Sequence, residues 1–147
     1  TADVVLALHA CDTATDDALA QAVRSGAKLI LSVPCCHHHL NAAIRPEGPA
    51  AILRPLLRHG ILKQRTADIV TDAFRALALR ILGYRTDVIE FISPEHTARN
   101  LMIRAIAGSP VGEAAFVTEW RELRQFWNVE PYLERALGGT LTRWVQV

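Results

Sequence analysis

Two short stretches of this 147-residue chain carry the side chains best suited to chemistry. The denser is Cys35-Cys36-His37-His38-His39, which packs two of the three cysteines and three of the six histidines into consecutive positions. The other is His9-Ala10-Cys11-Asp12. Imidazole titrates near neutrality and can take or hold a proton at physiological pH. Thiolate and imidazole are also the preferred ligands of zinc.

The Cys-Cys-His-His-His run admits three readings. It can line a pocket for a substrate, with imidazoles orienting polar groups or stacking on a base. It can contribute to a metal site, for which Cys36, His38 and Cys11 are the conceivable ligands. Neighbours in an extended chain point opposite ways, so all five residues cannot face one ion. It can also be structural, with cysteine as a small buried hydrophobe and His38 or His39 capping the next turn. A bridge between Cys35 and Cys36 is disfavoured, because adjacent Cα atoms lie closer than disulfide geometry wants. His9 is a proton acceptor or a histidine tied to backbone at a strand end. Asp12 is a proton acceptor or a helix cap, and Asp16 reads as a first-turn residue favoured by the helix dipole.

The elements that hold these stretches can be read from apolar pattern. Asp3 to His9 and Lys28 to Val33 are short apolar runs with strand character. A helix begins after the Thr13–Asp16 segment, shows Leu19, Ala22 and Val23 on one face, and stops at Gly26. Strand, helix and strand make a parallel βαβ unit. Buried parallel strands read as continuous apolar runs, and ligands of open α/β sheets sit beyond their carboxyl ends. The pattern then predicts a short helix over 40–44, one over 50–59, and one capped by Thr66 with Val70, Phe74, Leu77 and Ile81 on its inner face. Strands over 86–92 and 101–106 read as an antiparallel hairpin. Phe116, Trp120, Leu123 and Trp127 form an aromatic helical stripe, a packing face. Glu130-Pro131 starts a last short helix that stops at Gly138, and 140–147 has strand composition.

The totals exclude several classes. Net charge is +1, with 16 scattered basic residues, so no global field draws the chain to nucleic acid or membrane. Three cysteines give no paired disulfide framework and point to a reducing, cytoplasmic setting. No apolar run approaches the length of a membrane span.

The order of elements resembles the C-terminal half of a class I, Rossmann-like S-adenosylmethionine-dependent methyltransferase. Residues 3–9, 28–33, 86–92 and 101–106 would be its strands 4, 5, 6 and antiparallel 7. The segments His9-Ala10-Cys11-Asp12-Thr13-Ala14-Thr15-Asp16 and Pro34-Cys35-Cys36-His37-His38 resemble the group that includes tRNA ribose methyltransferases. That group carries Cys-Gly-x-Ala-Thr-Asp after strand 4 and Cys-Cys-His-His after strand 5; this chain has Asp12 at the glycine position. The resemblance implies methyl transfer to RNA, with S-adenosylmethionine touching Leu8, His9 and Ala10. It implies His9 and Asp12 as catalytic residues, and Cys35, Cys36, His37, His38 and Arg99 as acceptor contacts, with no metal. It makes 1–108 the methyltransferase portion, flanked by helices, and 109–147 a helical C-terminal extension. The family's Gly-rich loop does not occur here, so the N-terminal half is expected to be missing. That would leave 3–9 as an unpaired apolar sheet edge and the fragment inactive alone. The rivals are a non-catalytic zinc or thiol module and a degenerate methyltransferase scaffold.

Overall fold

The computed structural model describes residues 2–91 and 100–146. Four strands form one mixed sheet: β1 (Val4–Leu8), β2 (Leu29–Val33), β3 (Tyr84–Glu90) and β4 (Leu101–Ala107). Their spatial order is β1-β2-β4-β3. β1 and β2 pair in parallel, from Val4 against Leu29 to Leu8 against Val33. β4 runs antiparallel to both neighbours and so sits between β2 and β3. The fold is therefore α/β, in agreement with the class read from the sequence.

Between β1 and β2 lies α1 (Thr13–Arg24), which ends at Ser25 and Gly26, the latter at φ 72°. A left-handed glycine after the last turn is the usual C-terminal stop, and it turns the chain back into β2. After β2 come α2 (His38–Ala43), a 3₁₀ turn over Gly48–Leu53 and α3 (Arg54–Leu57). The proline-containing stretch 50–59 is thus split rather than one helix, because Pro49 and Pro55 each restart the chain.

The long helix α4 (Gly60–Ile81) starts six residues before the expected cap at Thr66. The Thr66 hydroxyl instead donates back to the Leu62 carbonyl, 2.8 Å away, inside the helix. Val70, Phe74, Leu77 and Ile81 are all buried, as their spacing requires. α1 and α4 pack on the sheet face that carries Ala7, Ile30, Ile103, Ala105 and Tyr84. On the other face Val4, Leu6 and Leu8 remain exposed.

The tail is α5 (Ala114–Trp127), α6 (Tyr132–Leu137) and α7 (Gly139–Val145). Trp120 is fully buried and meets Phe74 of α4 edge to face, with ring centroids 4.9 Å apart. Such a pair adds about 0.5–1.5 kcal/mol beyond area burial. Residues 139–145 are helical, which corrects the strand reading of that stretch: Leu141 and Val145, four apart, both point into the core. None of the described helices is long and apolar enough to cross a membrane.

Candidate functional site

The register of β1 against β2 ends with Leu8 opposite Val33. The next residues of both strands therefore leave the sheet side by side, at its carboxyl edge. This brings the two chemically loaded stretches together. The Asp12 amide donates to the Cys36 carbonyl at 3.1 Å, and an Asp12 carboxylate oxygen accepts from the His39 amide at 3.0 Å. Asp12 occupies the N-cap position of α1 but makes no side-chain cap bond to that helix. Its carboxylate caps the other loop instead, where α2 begins.

Asp12 sits at φ 51°, ψ −122°. Glycine enters that region freely and an L side chain does not. The chain thus keeps a glycine-type backbone path with an aspartate on it. His9, the residue after Leu8, also has positive φ, 55°. Leu8 and His9 are exposed and Ala10 is half-buried, so the end of β1 is open to a ligand.

The three consecutive histidines go three ways. His38 is exposed. His39 lies with its ring edge-on to Tyr132 of α6, centroids 5.7 Å apart. His37 is 4% exposed, and both ring nitrogens are engaged: Nδ1 lies 2.9 Å from Asp68 Oδ1 and Nε2 2.9 Å from Asp72 Oδ1. Each ring nitrogen thus faces a carboxylate oxygen of α4, with the donor and acceptor roles set by the tautomer. As placed, His37 faces α4 rather than an open pocket.

Behind the loops this network continues. Asp72 accepts from Arg75 Nη1 at 3.1 Å, and Arg75 Nε donates to Asp16 at 2.7 Å. Arg75 Nη2 reaches the Asp12 carbonyl at 2.8 Å. On the other side Gln64 donates to Asp68, and Asn41 to Gln64, each at 2.8 Å. Burial pushes the Asp16 carboxyl above its ordinary range, with the Arg75 charge acting against that push. Asp16 lies in the first turn of α1, as its position suggested, and is in addition a buried ion-pair partner of Arg75. Asp68, Asp72 and Arg75 carried no signal of their own in the sequence. Their hint is spacing: they fall four and three apart on the stripe of α4 that turns toward the loops.

The three cysteines also meet. Cys11 Sγ lies 3.1 Å from Cys35 Sγ, which is 3.8 Å from Cys36 Sγ. None of the three is in a disulfide. The hydrogen bond with Cys11, then burial, pushes the Cys35 thiol up to about 12. His38 does not belong to this group, so the ligand set Cys36, His38 and Cys11 gives way to one of three cysteines. Arg99, a candidate phosphate contact, and most of the 93–100 link lie outside the described residues.

A family model described as a methyltransferase domain matches residues 1–43, the stretch holding β1, α1, β2 and both loops, and it supports a methyltransferase domain there. No curated protein and no solved structure gives a significant match to the chain.

Proposed function

We propose that the chain is part of an S-adenosylmethionine-dependent methyltransferase whose acceptor is RNA, working in a reducing cytoplasm. The observation that carries the reading is the meeting of the two loops, 9–12 and 34–38, at the carboxyl edge of two adjacent parallel strands. That is where open α/β sheets bind ligands. The methyltransferase family match over residues 1–43 supports the reaction class. The RNA acceptor rests on the resemblance of the paired motifs alone.

The residues fit a role beside the reacting methyl. S-adenosylmethionine supplies, when bound, a methyl group on a positively charged sulfur. Leu8, His9 and Ala10 offer it an accessible strand end. His9 takes the proton from the acceptor hydroxyl or amine as the new bond to carbon forms and the carbon–sulfur bond breaks. Asp12 is the second candidate for that proton, and one of its carboxylate oxygens also holds the two loops in register by accepting from the His39 amide. Cys35, Cys36 and His38 border the acceptor side, with Arg99 for phosphate; His37 supports them from beneath. Residues 1–108 form the methyltransferase portion and 109–147 an extension packed against it. The Gly-rich part of the cofactor cradle is absent from these residues, and we place it on a strand-and-helix segment beside β1, where Val4, Leu6 and Leu8 are bare.

The test is incubation of the full parent protein with methyl-labelled S-adenosylmethionine and RNA, protein and small molecules from its own cells. RNA should take up label, and His9→Ala should cut the rate by about 10²–10⁴-fold, the usual share of a general base, with cofactor binding kept. Label in another fraction would discard RNA and keep the transferase. A folded protein that binds cofactor and labels nothing would be a scaffold, and one that binds no cofactor would overturn the reading entirely.

A further inference from the structure

All three cysteines of the chain converge on one point, although Cys11 follows β1 and the other two follow β2. Parallel pairing sets their loops side by side, and the Asp12–Cys36 backbone bond clamps them. The three sulfurs lie within 4.8 Å of one another. Cys35 and Cys36 are neighbours, yet their sulfurs turn to the same side, because residues 34–37 have left the extended strand. The objection that consecutive residues face opposite ways holds only inside a strand.

We propose that Cys11, Cys35 and Cys36 bind one thiophilic divalent cation, zinc, and leave its fourth position open. Zinc–sulfur bonds of about 2.3 Å in a tetrahedral site put neighbouring sulfurs about 3.8 Å apart. The Cys35–Cys36 separation of 3.8 Å already matches this. The Cys11–Cys35 separation of 3.1 Å must widen, which a rotation of the exposed Cys11 side chain would supply. Binding replaces three thiol protons with metal–sulfur bonds and releases those protons to solvent. Nothing is oxidised. Three protein ligands with an exposed flank correspond to the open kind of zinc site, in which water or a substrate atom completes the shell. The exposed flank is the one beside His9, so the ion would tie together the two loops proposed to flank the reacting group. The site stands independently of methyl transfer, since only sulfur positions carry it.

The experiment uses the full chain purified under a phosphine reductant without air, with zinc and cobalt(II) as probes. Wild type should retain stoichiometric zinc through desalting. Cobalt(II) should produce sulfur-to-cobalt charge-transfer absorption in the near ultraviolet. Zinc should also shield the cysteines from a thiol reagent. Cys11→Ser, Cys35→Ser and Cys36→Ser should each abolish stable binding, whereas His38→Ala should retain it. Cys11→Ser is the informative variant, because its side chain is exposed and its melting curve should match that of metal-free wild type. Metal content unchanged by Cys11→Ser, or cobalt spectra lacking sulfur charge transfer, would overturn the proposal. So would a Cys11–Cys35 disulfide found in protein isolated with thiols trapped at lysis.

Discussion

Asp12 holds a backbone conformation that costs an L residue about 1–3 kcal/mol, and its carboxylate offsets that cost by accepting the His39 amide. The two effects can be separated by two substitutions. Asp12→Ala loses the bond and keeps the strain. Asp12→Gly loses the bond and relaxes the strain. Glycine usually lies about 0.5–1 kcal/mol below alanine through its unfolded-state entropy. Here the order should invert, with Asp12→Gly more stable than Asp12→Ala by about 1–2 kcal/mol in urea unfolding, and both below wild type. An alanine variant as stable as the glycine one would show that the loop relaxes without strain. At this scale the sequence was legible in kind but not in direction. The glycine position was visible as a departure from a motif. Which of three adjacent histidines turns inward was not, because the choice depends on Asp68 and Asp72, some thirty residues further on in a helix whose start was itself misplaced.

Two elements and a loop share one buried polar network. Asp16 belongs to α1, Asp72 and Arg75 to α4, and His37 to the loop after β2. Removing one member of a buried ion pair typically costs about 3–5 kcal/mol, because the partner is left charged and dry. The network thus fixes the loops against the helices while tolerating little change. Its pH response has a definite sign. Burial, the leading cause, raises the Asp16 carboxyl above its ordinary 3.8, against the Arg75 charge and alongside those of Asp12 and Asp72. A raised acid is protonated more readily in the folded than in the unfolded chain. Its contribution is complete below 3.8 and is lost as pH rises through the folded value. Lowering the pH from neutrality toward 4 should therefore raise wild-type stability relative to Asp16→Asn, as read from urea midpoints at matched pH. A gap that narrows on acidification would mean that Arg75 outweighs burial. The helices themselves were readable where an apolar period ran cleanly, as for Val70 to Ile81. They were not where composition misled. Thr140 to Val147 is rich in β-favouring residues, yet Gly139–Val145 is helical, because a helix brings Leu141 and Val145, four apart, into the core together.

The sheet as a whole has two edges of different character. β3 is guarded: Arg85, Asp87 and Glu90 lie along it, and Asp87 pairs with Arg104 across the sheet at 2.8 Å. Charge along an edge discourages another strand from adding to it. β1 carries no such guard beyond the Asp3–Lys28 pair at its start. It exposes Val4, Leu6 and Leu8 at 51%, 59% and 57%. The parallel run predicted these strands and the hairpin beyond them. The insertion of β4 between β2 and β3 was not foreseeable from apolar pattern, since both strands of a hairpin offer β2 the same backbone bonds. An unguarded apolar edge has a consequence for the isolated chain: two copies should meet along β1. Light scattering across a concentration series should show self-association of residues 1–147, and Leu6→Lys should shift it toward monomer while leaving the fold intact by circular dichroism. Val88→Lys is the matched control. Val88 is 50% exposed on the opposite edge, so general surface stickiness would respond to it as strongly as to Leu6→Lys. If only the β1 variant responds, that edge is the surface where a further strand belongs. If both respond equally, or neither does, β1 has no special claim to the rest of the cofactor cradle.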